Sequence, residues 1–225
     1  GRHLSRCRLQ TKIILLMTAV LVIVPTAIFY MLEFPELQGA ARFWASLFQA
    51  VTPRTAGFNT VDIETMSDTG RLLLVALMFT GGAPGSTAGG IKTTTLFVLL
   101  ATMVSSLRLK RDVELTHLRR RISLETVRRA LTIFLVYLVL LLFVTVFISY
   151  HDSVPLMDAM VETASALGTV GLSIGLTEHL SSVSQLLLCV LMYFGRMGAL
   201  TLIYAMHTRR EPVPRRLPEG AVTVG

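Results

Sequence analysis

The chain has 225 residues, of which 52% are hydrophobic and only 16% charged. Its mean hydropathy of +0.64 is too high, and its charge too sparse, for an ordinary soluble domain. The net charge of +7 raises a nucleic-acid reading, but the basic residues do not interleave with aromatics on one face, so no nucleic-acid partner is expected.

The charges alternate along the chain. Arg2, Arg6, Arg8 and Lys12 precede the first apolar run. Arg108, Lys110, Arg111, Arg119, Arg120, Arg121, Arg128 and Arg129 separate the second from the third. Arg209, Arg210, Arg215 and Arg216 follow the last. The alternate segments are acidic: Glu33, Glu36, Asp62, Glu64 and Asp68, then Asp152, Asp158, Glu162 and Glu178, opposed by Arg42 and Arg54. This is the positive-inside pattern of a multi-pass protein in the cell membrane, with both termini and the central loop cytoplasmic. Cys7 and Cys189 fall on the cytosolic side and inside a helix, so no disulfide is expected. No cleavable signal peptide is expected either.

Residues 1–12 form a basic cytosolic lead-in. Ile13 to Leu32 is an uncharged run long enough for one crossing, kinked at Pro25. Gly39 to Val51 predicts a helix of about three turns, too short and too polar to span. Pro53 stops it, and Thr55-Ala56-Gly57-Phe58-Asn59 continues as irregular backbone. A short helix and a non-helical strand between two spans read as a re-entrant hairpin.

Arg71 to Leu107 is too long for one crossing, at ~55 Å against a hydrocarbon layer of ~30 Å. It must break at Gly81-Gly82-Ala83-Pro84-Gly85-Ser86-Thr87-Ala88-Gly89-Gly90, where glycine weakens helix and proline removes a donor. Unwound backbone at membrane depth is tolerated only inside protein or beside water. Residues 108–129 form a basic linker, with Ser123 opening the next helix. Leu131 to Tyr150 is a third crossing. Val154 to Leu167 is a second short helix with Pro155 in its first turn, followed by Thr169-Val170-Gly171-Leu172-Ser173. Ser181 to Met206 is the fourth crossing. The tail, 207–225, carries Pro212, Pro214 and Pro218 among charges and predicts an unstructured cytosolic end.

The order span, short helix, irregular strand, span therefore occurs twice, over 13–107 and 130–206. The predicted fold is an all-α membrane protein of two membrane–pore–membrane repeats, with four spans, two re-entrant pore helices and a potassium-channel-like plan.

A dehydrated monovalent cation needs a ring of oxygens in place of its water, and Thr-Val-Gly loops supply them from backbone carbonyls. Thr55 to Asn59 and Thr169 to Ser173 are the candidate filter strands, with potassium as the bound ion. The pore helices direct their partially negative C-terminal ends inward. The alternative is that both strands are ordinary extracellular loops. Gly81, Gly82, Pro84, Gly85, Ser86, Thr87, Gly89, Gly90 and Lys92 make the candidate gating loop, with a hinge or packing role as the alternative. A phosphate-binding loop is excluded because Ile91 separates glycine from Lys92 and no strand precedes it. Arg196 lies within the fourth span, where a charge is costly and by default functional. It either partners backbone carbonyls structurally or, with Lys92, borders the loop and adjusts the barrier to cations. Asp158 and Glu162 are expected on a solvated outer vestibule, with specific ion sites as the alternative. An intramembrane hydrolase using Ser86 would need a base at depth, whereas His3, His117, His151, His179 and His207 all lie in loops or at span ends.

These motifs together resemble the Trk/Ktr/HKT superfamily of potassium transporters, and most closely the bacterial Ktr/Trk translocating subunits. The resemblance rests chiefly on residues 81–94, with support from Thr55 to Asn59, Thr169-Val170-Gly171 and Gly195-Arg196-Met197-Gly198. It implies the third and fourth of four repeats around one pore. Gly57 and Gly171 would be filter glycines, 81–90 the gating loop, and Arg196 the arginine of the last span. It also implies a homodimer, a cytosolic nucleotide-binding regulatory subunit, a potassium ion as cargo, no organic cofactor and no enzymatic activity. Two repeats make half a pore, so either an N-terminal half or a second copy must complete it, and the first is favoured. A sodium or mixed-cation transporter, or a non-conducting assembly subunit, is the alternative.

Overall fold

The computed structural model describes residues 9–108, 113–115 and 120–198. Most of the lead-in, Cys7, parts of the basic linker, the end of the fourth crossing and the tail lie outside the described residues.

Seven α-helices follow in order among the described residues. Helix α1 (Leu9–Leu32) has 24 residues, about 36 Å at the usual rise. Helix α2 (Gly39–Val51) has 13. Helix α3 (Asp68–Phe79) and α4 (Thr93–Leu107) flank the glycine-rich stretch. Helix α5 (Leu124–His151) has 28 residues, α6 (Leu156–Gly168) has 13, and α7 (Ser182–Met197) has 16. Helices α1 and α5 are both long and apolar enough to cross a membrane.

The helix starts follow local chemistry. Ser67, Ser123 and Ser181 each accept a hydrogen bond from an N–H in the first turn of α3, α5 and α7, satisfying a donor that has no partner inside the helix. Asp152, after α5, accepts from the Ser181 N–H at 3.2 Å and so joins the end of α5 to the start of α7. Burial opposes the charge of its carboxyl, but hydrogen bonds from Ser184 and Ser181 outweigh that and hold it below the usual carboxylate range.

The fold departs from all-α in one place. Val113–Leu115 (β1) and Arg120–Ile122 (β2) form an antiparallel pair with Val113 opposite Ile122. A strand-favouring Val, Leu and Ile interrupt the charges of the linker, a pattern too short to stand out in a basic run.

Helix α6 lies at the centre. It packs against α3, α5 and α7, and Ala159 and every residue from Val161 to Gly168 are buried. Leu74, Met78, Ile148, Leu167 and Leu191 are fully enclosed around it. Helix α2 packs mainly on α1 and leaves Phe43 and Trp44 exposed.

Candidate functional site

Both short helices run into the same backbone conformation. After α2, Thr55 has φ +70° and Gly57 φ +73°; after α6, Thr169 has φ +52° and Gly171 φ +90°. A β-branched residue at positive φ is a genuine outlier, since its side chain crowds the following carbonyl. Two of them at matching positions mark strain held in place by the surroundings, of order 1–3 kcal/mol each.

The two strands meet. A Cβ added to Gly57 would lie 2.0 Å from the Val170 carbonyl oxygen and 3.6 Å from the Gly171 α-carbon. Only glycine permits that approach at a left-handed φ. The second strand alternates, with Val170 and Leu172 buried and Gly171 and Ser173 exposed. The first is more open: Ala56, Phe58 and Asn59 are exposed. Thr52 donates its hydroxyl to the Phe58 carbonyl at 2.5 Å, which fixes the strand's far end and engages one lone pair of that oxygen.

The glycine-rich loop closes on itself. The Gly81 N–H donates to the Ile91 carbonyl at 2.8 Å, and the Ile91 N–H donates to Phe79 at 3.1 Å. These bonds make a parallel bridge between Thr80 and Ile91. A parallel bridge requires the chain to leave, return and resume the same direction. The chain therefore resumes at Ile91 the direction it had at Thr80, and residues 81–90 are an excursion between them. The tip is a turn: Ser86 N–H donates to Ala83 O at 3.1 Å, with Pro84 and then Gly85 at φ +82° between them, the features of a type II turn. Ser86 also donates its hydroxyl to Ala83 O at 2.6 Å. Gly85, Ser86 and Thr87 are exposed, while Gly81, Ala88, Gly89 and Gly90 are buried.

Three elements converge on the C-terminal end of α6. A Cβ on Gly89 would stand 2.2 Å from Thr169 Oγ1, one on Gly168 2.5 Å from the Met78 carbonyl, and one on Gly195 2.0 Å from the Leu167 carbonyl. The loop, the end of α3 and the end of α7 thus lie beside the start of the second strand. The Arg196 guanidinium donates to the Thr87 carbonyl, and the Lys92 ammonium donates to the Ala88 carbonyl. Two cations hold adjacent carbonyls of one loop. Thr169 Oγ1 is buried without a hydrogen-bond partner among the described residues.

The expectation of a solvated vestibule fails at Glu162, whereas Asp158 keeps a quarter of its side chain exposed. Asp158 pairs with Arg71 at 2.8 Å, which joins α6 to α3. Glu162 is only 4% exposed and accepts from Ser173 Oγ at 2.6 Å, the Ile174 N–H at 3.0 Å and Thr177 Oγ1 at 2.8 Å. Carboxylates leave water when donors are supplied by other segments, and here those donors lie on another helix and on the strand beyond. Sequence reasoning also passed over Thr52 and the close packing at Gly195, although a small residue beside Arg196 in an apolar helix is a signal of helix–helix approach.

Short helices ending at paired strained strands, together with two helices long and apolar enough to cross a membrane, fit a helical membrane protein. A family model described as cation transport protein, TrkH, matches residues 6–211, and the chain belongs to that family. It is 34% identical to the Ktr system potassium uptake protein B of Bacillus subtilis (strain 168), covering 100% of this chain and 51% of that protein. It is 35% identical to the protein of the same name from Vibrio alginolyticus, over 96% of this chain and 48% of the relative. It is likewise 35% identical to the potassium/sodium uptake protein NtpJ of Enterococcus hirae, over 99% and 51%. The crystal structure of the potassium transporter TrkH from Vibrio parahaemolyticus shares the fold, with a TM-score of 0.70 at 20% identity over 88% of this chain and 44% of that one. The chain spans about half the length of the relatives it matches.

Proposed function

We propose that this chain forms the C-terminal half of a pore for potassium uptake across the cell membrane. Residues 55–59 and 169–173 are two of four filter strands, each delivered by a re-entrant pore helix, and loop 81–90 is an intramembrane gate below them. The observation that carries the reading is the backbone contact between Gly57 and Val170–Gly171. It draws two matching strained strands together at the C-terminal ends of two helices, whose dipoles favour a cation there. Thr169 Oγ1, buried and unpartnered among the described residues, supplies a further oxygen above the loop. Arg196 and Lys92, by holding Thr87 and Ala88 carbonyls, keep the loop across the path and add positive charge to its barrier.

Two repeats complete half a ring. The exposed Phe43, Trp44 and Phe58 support a missing N-terminal half as the covering partner. The basic linker suits a cytosolic nucleotide-binding regulatory subunit, and the working unit is a homodimer in the bilayer with the described outer loops facing away from the cytoplasm. Potassium uptake in transport-deficient cells tests the reading, for this chain alone and with an N-terminal half supplied. Uptake is expected only with the second half, with a preference for potassium over sodium. No uptake in either case would favour a non-conducting assembly subunit, and equal uptake of both ions a mixed-cation transporter.

A further inference from the structure

We propose that Glu162 is the positioning residue that sets the geometry of the second filter strand, and through it the choice between cations; this rests on the filter reading above. Glu162 lies on α6, yet all three groups it accepts from lie beyond that helix, on the strand and the turn after it. Oε1 takes Ser173 Oγ and the Ile174 N–H, and Oε2 takes Thr177 Oγ1. Ser173 Oγ in turn accepts from the Gly175 N–H at 2.9 Å. One buried carboxylate therefore holds three residues, Ser173 at the end of the strand and Ile174 and Thr177 just beyond it, against the middle of the pore helix. Charge-assisted bonds of this kind are shorter and stronger than neutral ones.

Packing holds the strand at Val170 and Leu172, which are buried in the core with Leu188 of α7, but not at Gly171 and Ser173, which are exposed. These two face a pocket of about 340 Å³, lined also by Glu162, Thr169, Leu188 and Met192 among others. Gly171 has open space around its α-carbon and a φ of +90°, so its own conformational freedom offers no restraint. The carboxylate clamp supplies at Ser173 the restraint that packing supplies at Val170 and Leu172. The first strand is held differently, through the Thr52 hydroxyl on the Phe58 carbonyl, so the two strands answer to separate changes.

The test is the potassium-to-sodium uptake ratio of the complete transporter reconstituted in vesicles. Glu162→Ala removes both acceptor oxygens and with them all three hydrogen bonds, and is expected to lower the ratio about tenfold by freeing the end of the strand. Glu162→Gln is expected to retain most of the preference, because the carboxamide oxygen still accepts from Ser173 and Ile174 and its N–H donates to the Thr177 hydroxyl. A merely structural role would lower protein yield or rate without changing the ratio. Gly171→Ser serves as the control. If it lowers the ratio while Glu162→Ala leaves it unchanged, the clamp is refuted and the filter reading stands. If neither variant changes the ratio, the filter reading itself falls. Should Glu162→Ala fail to assemble, the double variant Ser173→Ala with Thr177→Val removes two of the three donors and keeps the carboxylate. It too should lower the ratio, and an unchanged ratio overturns the proposal.

Discussion

Replacing Gly195 by alanine asks whether α7 rests on α6 through bare backbone. In an exposed helix the change would stabilise by about 1 kcal/mol, because alanine loses less entropy on folding. Here the new Cβ would lie 2.0 Å from the Leu167 carbonyl oxygen and 2.9 Å from its carbon. Ordinary contact begins at 3.4 Å, so the backbones must part by about 1.4 Å, the difference 3.4 − 2.0. Neither atom belongs to a side chain that can swing aside. Overpacking of this kind costs about 1–3 kcal/mol, and the movement also draws Arg196 from the Thr87 carbonyl it holds. A charge-assisted bond is worth about 1.5–3 kcal/mol, part of which is recovered from water. The net expectation is a destabilisation of about 1–2 kcal/mol, after the propensity gain is subtracted. Thermal unfolding of the detergent-solubilised transporter should show a lower midpoint, and potassium uptake should change with it, since the loop has lost its anchor. A midpoint at or above that of the unmodified protein would mean that α7 does not rest on Leu167, and the account of how the loop is held would fail.

Gly171→Ser should weaken the preference for potassium, because a side chain at φ +90° costs about 1–2 kcal/mol and relaxes by moving the carbonyls; an unchanged uptake ratio counts against the filter assignment. Deleting Gly82 to Gly89 should raise cation flux, since it removes the loop that Arg196 and Lys92 hold by its carbonyls. Flux that falls in a folded protein would make the loop structural rather than a gate. Arg71→Ala and Asp158→Ala should be non-additive in unfolding by roughly 1 kcal/mol, as expected for a partly buried pair in direct contact; the side chains are 13% and 25% exposed. Additive losses would show that the pair does not tie α3 to α6.

The membrane character, the two short helices and the break in the second span were legible along the chain. Each is a property of neighbours in sequence: hydropathy summed over a window, the limit that Pro53 sets on α2, and the cost of helix through residues 81–90. The serine starts are of the same kind, since an N-cap bonds residues two or three positions on. What the loop does after leaving α3 was not legible. Its parallel return to Ile91 depends on hydrogen bonds between residues ten and twelve apart, and no local preference encodes direction.

The fate of each charge was the least legible feature. Asp158 and Glu162 stand in a short, half-polar helix, and hydropathy alone places such carboxylates toward water. The fold reverses this at Glu162 by bringing Ser173, Ile174 and Thr177 from the strand end and the turn after it, and it pairs the part-exposed Asp158 with Arg71 from another helix. Composition and periodicity thus determined which segments are long and apolar and where helix must stop. Tertiary structure alone decided which carbonyls and carboxylates face one another, because burying a polar group is settled by partners that only packing can deliver.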